Sequence, residues 1–183
     1  MKINCKLKIE KIVAKDGVRY CLKDPHLDAK NKCLVATDGH KLVKIPVEVH
    51  PDDTTGHVPL AAIQDARRMK LADAEILCNG NVTLQSPDGA TAVSYERHDP
   101  DDWKFPDYDR VMPDTSQAPT MRIGLNARYL LELANALAVN GRGKEPILVL
   151  DIYDALSAVR VRSLDDVKDP CAAEGVVMPV RCD

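Results

Sequence analysis

Residues 75–78, 82–85 and 90–95 form three short runs rich in aliphatic and β-branched side chains, separated by Asn79-Gly80 and by Pro87-Asp88-Gly89. Such turn residues tolerate the backbone angles that tight hairpins demand, so this stretch predicts a β-meander. A meander has an apolar face to bury, and the segment before it supplies a cover. Pro59 suits the first turn of a helix, where its missing N–H would have no partner anyway. Leu60, Ile63, Ala66 and Met69 then recur every third residue, while Gln64, Asp65, Arg67 and Arg68 point away, which predicts an amphipathic helix ending near Leu71.

The outline recurs later in the chain. A strand over 121–125 leads to Asn126, a suitable N-cap, and to a helix whose apolar stripe is Leu130, Leu133 and Leu137, closed by Asn140-Gly141. Strands over 147–152, 156–162 and 175–181 follow. The start of the chain reads as further strands at 2–13, 18–22, 33–36 and 42–49, with turns at Asp16-Gly17 and Asp38-Gly39. The expected class is therefore α+β, with a strand-helix-meander unit used twice. The expected divisions are 1–104 for the first unit with its N-terminal strands, 105–120 for a linker and 121–183 for the second unit. The acidic, proline-containing connector over 98–119 holds the sole Trp (Trp103) and the sole Phe (Phe105), and reads as a linker anchored at its middle.

Composition narrows the functional classes. No apolar run approaches the ~20 residues of a membrane span, and the amino terminus alternates polar and apolar residues instead of resembling an export signal. The expected location is cytoplasmic. The six cysteines are scattered singly, without the spacing of a zinc ribbon or a redox pair, which predicts reduced thiols and no metal. A formal charge of −3 excludes a chain held on nucleic acid by bulk positive charge, so contact with DNA would be local and weak.

Catalytic signatures are sparse. Thr37-Asp38-Gly39-His40 pairs an acid with an imidazole, but no serine elbow accompanies it, and two side chains so close on a turn need not face each other. Asp38-Gly39 reads better as the turn that presents His40. Neither glycine-rich phosphate loop occurs, and Gly141-Arg142-Gly143-Lys144 is too short to cradle a nucleotide. No cofactor and no enzymatic activity are expected.

Three segments carry a resemblance to a known family. They are Arg19 to Leu22 with the later Leu34 to Leu42 run, Phe105-Pro106-Asp107-Tyr108-Asp109-Arg110-Val111-Met112-Pro113, and Val176-Val177-Met178-Pro179-Val180-Arg181. In this order they resemble the bacterial sliding clamp, the DNA polymerase III beta subunit. Clamps of that family carry three domains of two such units each and close as dimers around duplex DNA. The two units expected here would make the equivalent of about one clamp domain, as in a shortened or phage-type clamp-like protein. A ring would then need about six chains, or none would form.

The resemblance implies a DNA replication processivity factor with an apolar pocket for clamp-interaction peptides. Its wall would comprise Leu22, Thr37, Gly39, His40, Lys41, Leu42, Pro106, Arg110, Val111, Val176, Val177, Met178, Pro179, Val180 and Arg181. Partners would be replicative polymerase or repair proteins bearing that motif, with homo-oligomers if a ring closes. Arg67, Arg68 and Lys70 on the first helix and Arg128, Arg142 and Lys144 on or after the second are the candidates for contact with duplex DNA. The alternative is a monomeric decoy or regulator that captures the same peptides without encircling DNA.

Overall fold

The computed structural model describes residues 1–4, 7–15, 19–69, 73–86, 92–98, 103–116, 118–137, 147–164, 167 and 173–181. They form two compact units, Met1–Val111 and Met112–Asp183, so the division falls inside the connector.

The first unit holds two four-stranded antiparallel sheets. In chain order its elements are β1 (Lys2–Asn4), a 3-10 turn (Ile9–Lys11), another (Tyr20–Leu22), β2 (His26–Asp28), β3 (Cys33–Thr37), β4 (Leu42–Pro46), β5 (Gly56–His57), helix α1 (Leu60–Arg68), β6 (Asp73–Asn79), β7 (Asn81–Gln85), β8 (Ala92–Tyr95) and a 3-10 turn at Tyr108–Arg110. One sheet runs β4-β3-β2-β5 and the other β1-β6-β7-β8. The chain thus makes two successive halves, β1 to β4 and β5 to β8, and each half gives its first strand to the other's sheet. Lys2 pairs with Glu75 of β6, and His57 pairs with His26 of β2.

This exchange forces a shared core. Leu27, Leu34 and Ala36 from one sheet meet Ile76, Val82 and Leu84 from the other, with Ala62, Ile63 and Ala66 of α1 between them. Asp24 caps α1 from a distance, its Oδ1 accepting the Leu60 N–H at 2.8 Å. Met69, expected on the apolar face of α1, is exposed, and Ala62 is buried in its place among the core residues. A turn of 3.6 residues explains the change, since a strict three-residue repeat drifts off the buried face by the third step.

Two expected strands are corrected. Among the described residues, the apolar alternation over 2–13 yields a strand only at Lys2–Asn4, after which Ile9 is buried from a 3-10 turn at Ile9–Lys11 and Val13 from the bend that follows it. The expected strand at 18–22 is likewise a 3-10 turn at Tyr20–Leu22 that buries Leu22.

Two polar centres, one buried at Asp53 and one half-buried at Arg97, hold the halves together. Asp53 accepts the Cys78 N–H at 2.7 Å, the His50 N–H at 2.8 Å and the Met1 amino group at 2.6 Å. Arg97 donates to the carbonyls of His57 (2.7 Å), Thr54 (2.8 Å) and Cys78 (3.4 Å), and to the Thr54 hydroxyl (2.7 Å). It lies against Gly56, whose φ of 146° belongs to glycine and whose added Cβ would sit 2.9 Å from the guanidinium.

The second unit contains helix α2 (Ala127–Ala136) and a three-stranded antiparallel sheet ordered β11-β10-β9, from β9 (Leu148–Asp151), β10 (Val159–Ser163) and β11 (Glu174–Val177). Asn126 caps α2 by accepting the Arg128 N–H at 3.0 Å. Leu130, Leu133 and Leu137 pack on Val159, Val161 and Val177. The expected strand at 121–125 makes a single bridge, Gly124 to Val180, and Asn140-Gly141 lies outside the described residues. No described helix is long and apolar enough to cross a membrane.

Gly56→Ala should lower the stability of the first unit by about 1–3 kcal/mol, because the methyl group combines an unfavourable φ with a clash against a half-buried guanidinium held by four hydrogen bonds. Urea denaturation followed by circular dichroism measures this; an unchanged midpoint would show that Arg97 shifts freely.

Candidate functional site

The hairpin between β3 and β4 is fixed by its own side chains. Thr37 Oγ1 accepts the Gly39 N–H (3.0 Å) and donates to the Lys41 carbonyl (2.8 Å), and Asp38 Oδ1 accepts the N–H groups of His40 (2.9 Å) and Lys41 (3.0 Å). Lys41 closes an ion pair on the other carboxylate oxygen. That hydrogen bond, then those from the two amides, holds the Asp38 carboxyl far below its ordinary range. The Asp38 carboxylate is therefore committed to the backbone and to Lys41, and the imidazole of His40 is not oriented by it. From below, Arg19 donates to the Asp38 carbonyl and fills the space beside Gly39, whose φ is 88°.

Facing this hairpin is the strap 103–111. Phe105 stacks on His26 of β2 at 4.7 Å between ring centroids. Tyr108, on the 3-10 turn, is buried against Cys33 and Val35 and donates its hydroxyl to Asp28 Oδ2 at 2.7 Å. Burial first, then the bonds to Cys33 and Asp28, pushes the Tyr108 phenol well above its ordinary range. Burial also works to raise the Asp28 carboxyl, but hydrogen bonds from the Asn31 backbone, Tyr108 and the Asn31 side chain outweigh it and leave the group lowered. Trp103 stacks on His98 at 3.6 Å and meets Tyr20 and His57 edge-on, while its carbonyl bonds the His57 ring.

Between hairpin and strap lies a cavity of about 400 Å³ lined by Leu22, Thr37, Gly39, His40, Lys41, Leu42, Phe105, Pro106, Asp107, Tyr108 and Val111. All of these belong to the first unit. Leu22, Leu42, Val111 and the two rings give it apolar walls, with Lys41, His40 and Asp107 as polar groups, a mix suited to an apolar segment with a polar end. Among the sequence candidates, Arg110 does not line it: its guanidinium is exposed and pairs with Asp107 at 2.9 Å. Phe105, Asp107 and Tyr108 are not among the sequence candidates, because they fall in a segment that reads as a linker.

Val176, Val177, Met178, Pro179, Val180 and Arg181 belong to the second unit, where Val177 is buried in the core and Val176, Met178 and Val180 are exposed. Of the basic residues, Arg67 is tied to Glu10 and the Leu7 carbonyl. Arg68 pairs with Asp65 at 2.9 Å, and Arg128 with Glu132 at 3.7 Å, both at the surface. Lys70, Arg142 and Lys144 fall outside the described residues. Among those described, no group of three His, Cys, Asp or Glu side chains is arranged to hold a metal.

No family model and no curated protein sequence matches the chain. Solved structures do. The DNA polymerase III beta chain of Streptococcus pneumoniae TIGR4 superposes with a TM-score of 0.62 at 19% identity, over 99% of this chain and 49% of that one. The chain has the sliding-clamp fold. The DNA polymerase sliding clamp of Bacillus subtilis gives a TM-score of 0.65 at 15% identity, over 97% of this chain and 48% of its own. The beta subunit of Streptococcus pyogenes gives 0.63 at 14%, over 99% and 50%. This chain spans about half the length of the clamps it matches.

Acid should loosen the strap. Burial first, then the neighbouring His57 charge, lowers His26 to about 4, against a partial opposing pull from Asp28. The unfolded chain therefore takes up a proton before the folded one, and stability falls as pH drops from about 6.5 towards 4. Denaturation midpoints across this window should decline in the wild type and decline less in His26→Gln, which cannot titrate; parallel profiles would remove His26 as the source.

Proposed function

We propose that this protein is a non-catalytic, sliding-clamp-like binding platform whose cavity in the first unit takes a short peptide from replicative polymerase or repair proteins. The observation that carries the reading is the cavity itself, set on a sliding-clamp fold and walled by Leu22, Leu42, Phe105, Tyr108 and Val111. An extended peptide with two large apolar side chains and a glutamine suits these walls. The apolar groups would enter between hairpin and strap, and the amide would reach the polar groups at the hairpin. Such a ligand buries little area and loses much freedom, so micromolar affinity is expected, about −8 kcal/mol at ~1 μM.

Leu42→Ala should weaken binding of a synthetic clamp-binding peptide about tenfold, since removing a contact of this size costs roughly 1–2 kcal/mol. Ile63→Val, in the core beneath α1, should leave affinity unchanged. Isothermal calorimetry reads both, and a folded wild type that binds no such peptide refutes the reading.

Duplex DNA is the further partner that the clamp likeness suggests, held topologically within a homo-oligomer so that modest charge suffices. The decoy reading keeps the peptide and drops the DNA. Arg68 and Arg128 are the informative pair, because Arg67 has a structural role against Glu10. Charge reversal at both should reduce retention on circular DNA and its salt dependence in the ring reading, whereas a wild type that never associates with circular DNA supports the decoy.

A further inference from the structure

Among the described residues, the second unit carries the strand order of one half of the first. In the first unit, β1 runs beside the chain two residues past β4, the Lys2 N–H donating to the Glu48 carbonyl at 2.8 Å. Its opposite edge meets β6, where the Ile76 N–H donates to the Met1 carbonyl at 2.8 Å. In the second unit the segment 121–125 runs beside the chain three residues past β11, the Val180 N–H donating to the Gly124 carbonyl at 2.9 Å. Its opposite edge meets no strand among the described residues. The same holds one element on: β2 lies between β3 and β5, but among the described residues β9 pairs with β10 alone.

The backbone shows which groups this leaves over. The Leu164 N–H donates to the Ile147 carbonyl at 3.0 Å, continuing the β9–β10 ladder in register. Residues 147, 149 and 151 therefore turn their peptide groups to β10, and alternation turns those of Leu148 and Leu150 outward. By the same rule the bond at Gly124 turns the peptide groups of Ile123 and Leu125 away from Val180. The side chains of these four residues all pack on Val159, Val161 and Val177 yet remain only partly buried. Among the described residues, these two edges of the second unit are without a strand partner and the core beside them is only partly covered.

We propose that a second copy of this chain completes the second unit, residues 121–125 of each copy adding as a strand to β9 of the other. The occupant follows from the architecture. In the first unit the edge of β2 is filled by the first strand of a like half, and that half receives β1 in return. Each second unit has one such strand to give and one such edge to fill. The exchange is self-complementary about a twofold axis and closes at two chains. It removes exposed strand edges and joins two half-covered cores. The inference does not depend on the peptide cavity.

Light scattering on the 183-residue protein across low to high micromolar concentration should give twice the 20.2 kDa chain mass. Residue-resolved amide exchange should show Leu148 and Leu150 protected, although β10 does not pair with them. Leu150→Pro deletes an outward donor while sparing those that face β10, and should yield a folded monomer. Leu150→Ala trims the same side chain, keeps the N–H and should remain dimeric. A monomer throughout the concentration range overturns the proposal, as does a dimer with rapid exchange at both leucines. Should Leu150→Pro fail to fold, exchange in the wild type decides alone.

Discussion

Arg97 is where the two sheets of the first unit are held to one geometry. It follows β8 of one sheet, and its guanidinium takes carbonyls from Thr54 and His57, leading into and on β5 of the other, as well as from Cys78 on β6. Burial disfavours its charge and lowers its pKa, with Cys78 and Asp53 pulling weakly the other way, so the carbonyl cage is what keeps the charge tolerable. Because β5 is only two residues long, its place depends on this cage more than on its own ladder. His57 is on that strand, and through His57 the strap with Trp103 and Phe105 is seated. The cavity wall thus depends on a cation set just before the strap in the chain, between β8 and Trp103.

The hairpin wall has a parallel construction. Arg19 lies against Gly39 as Arg97 lies against Gly56, and in both cases a positive φ at glycine lets a guanidinium approach the backbone. The two walls of the cavity are each backed by an arginine that belongs to another element. This gives a rigid opening from short strands, and a rigid opening lowers the ordering cost of holding a flexible peptide.

Much of this was legible in the sequence where period and turn chemistry agree. The meander after α1, the stripe Leu130-Leu133-Leu137 and the Asn126 cap follow from side-chain spacing alone. The failures have physical causes. Ile9 and Val13 fit a strand alternation as well as they fit a turn that buries both, and only the core decides between them. β2 and β5 are three and two residues long, too short to show any period, and they exist because each half lends a strand to the other. At the cavity, the hairpin residues were legible as a turn motif, whereas Phe105 and Tyr108 were hidden by their position in what reads as a linker. Their burial depends on His26 and Asp28, partners on a strand that had itself gone unread.

The seating of Trp103 has an optical consequence. It is the only tryptophan in the chain, sandwiched flat on His98 and edge-on to Tyr20 and His57. An imidazole in face contact with an indole is a natural quencher, and more so when protonated. Two residues further on, Phe105 lines the cavity. The protein therefore carries its own fluorophore at the root of the strap, and its emission would register any displacement of that wall without a label.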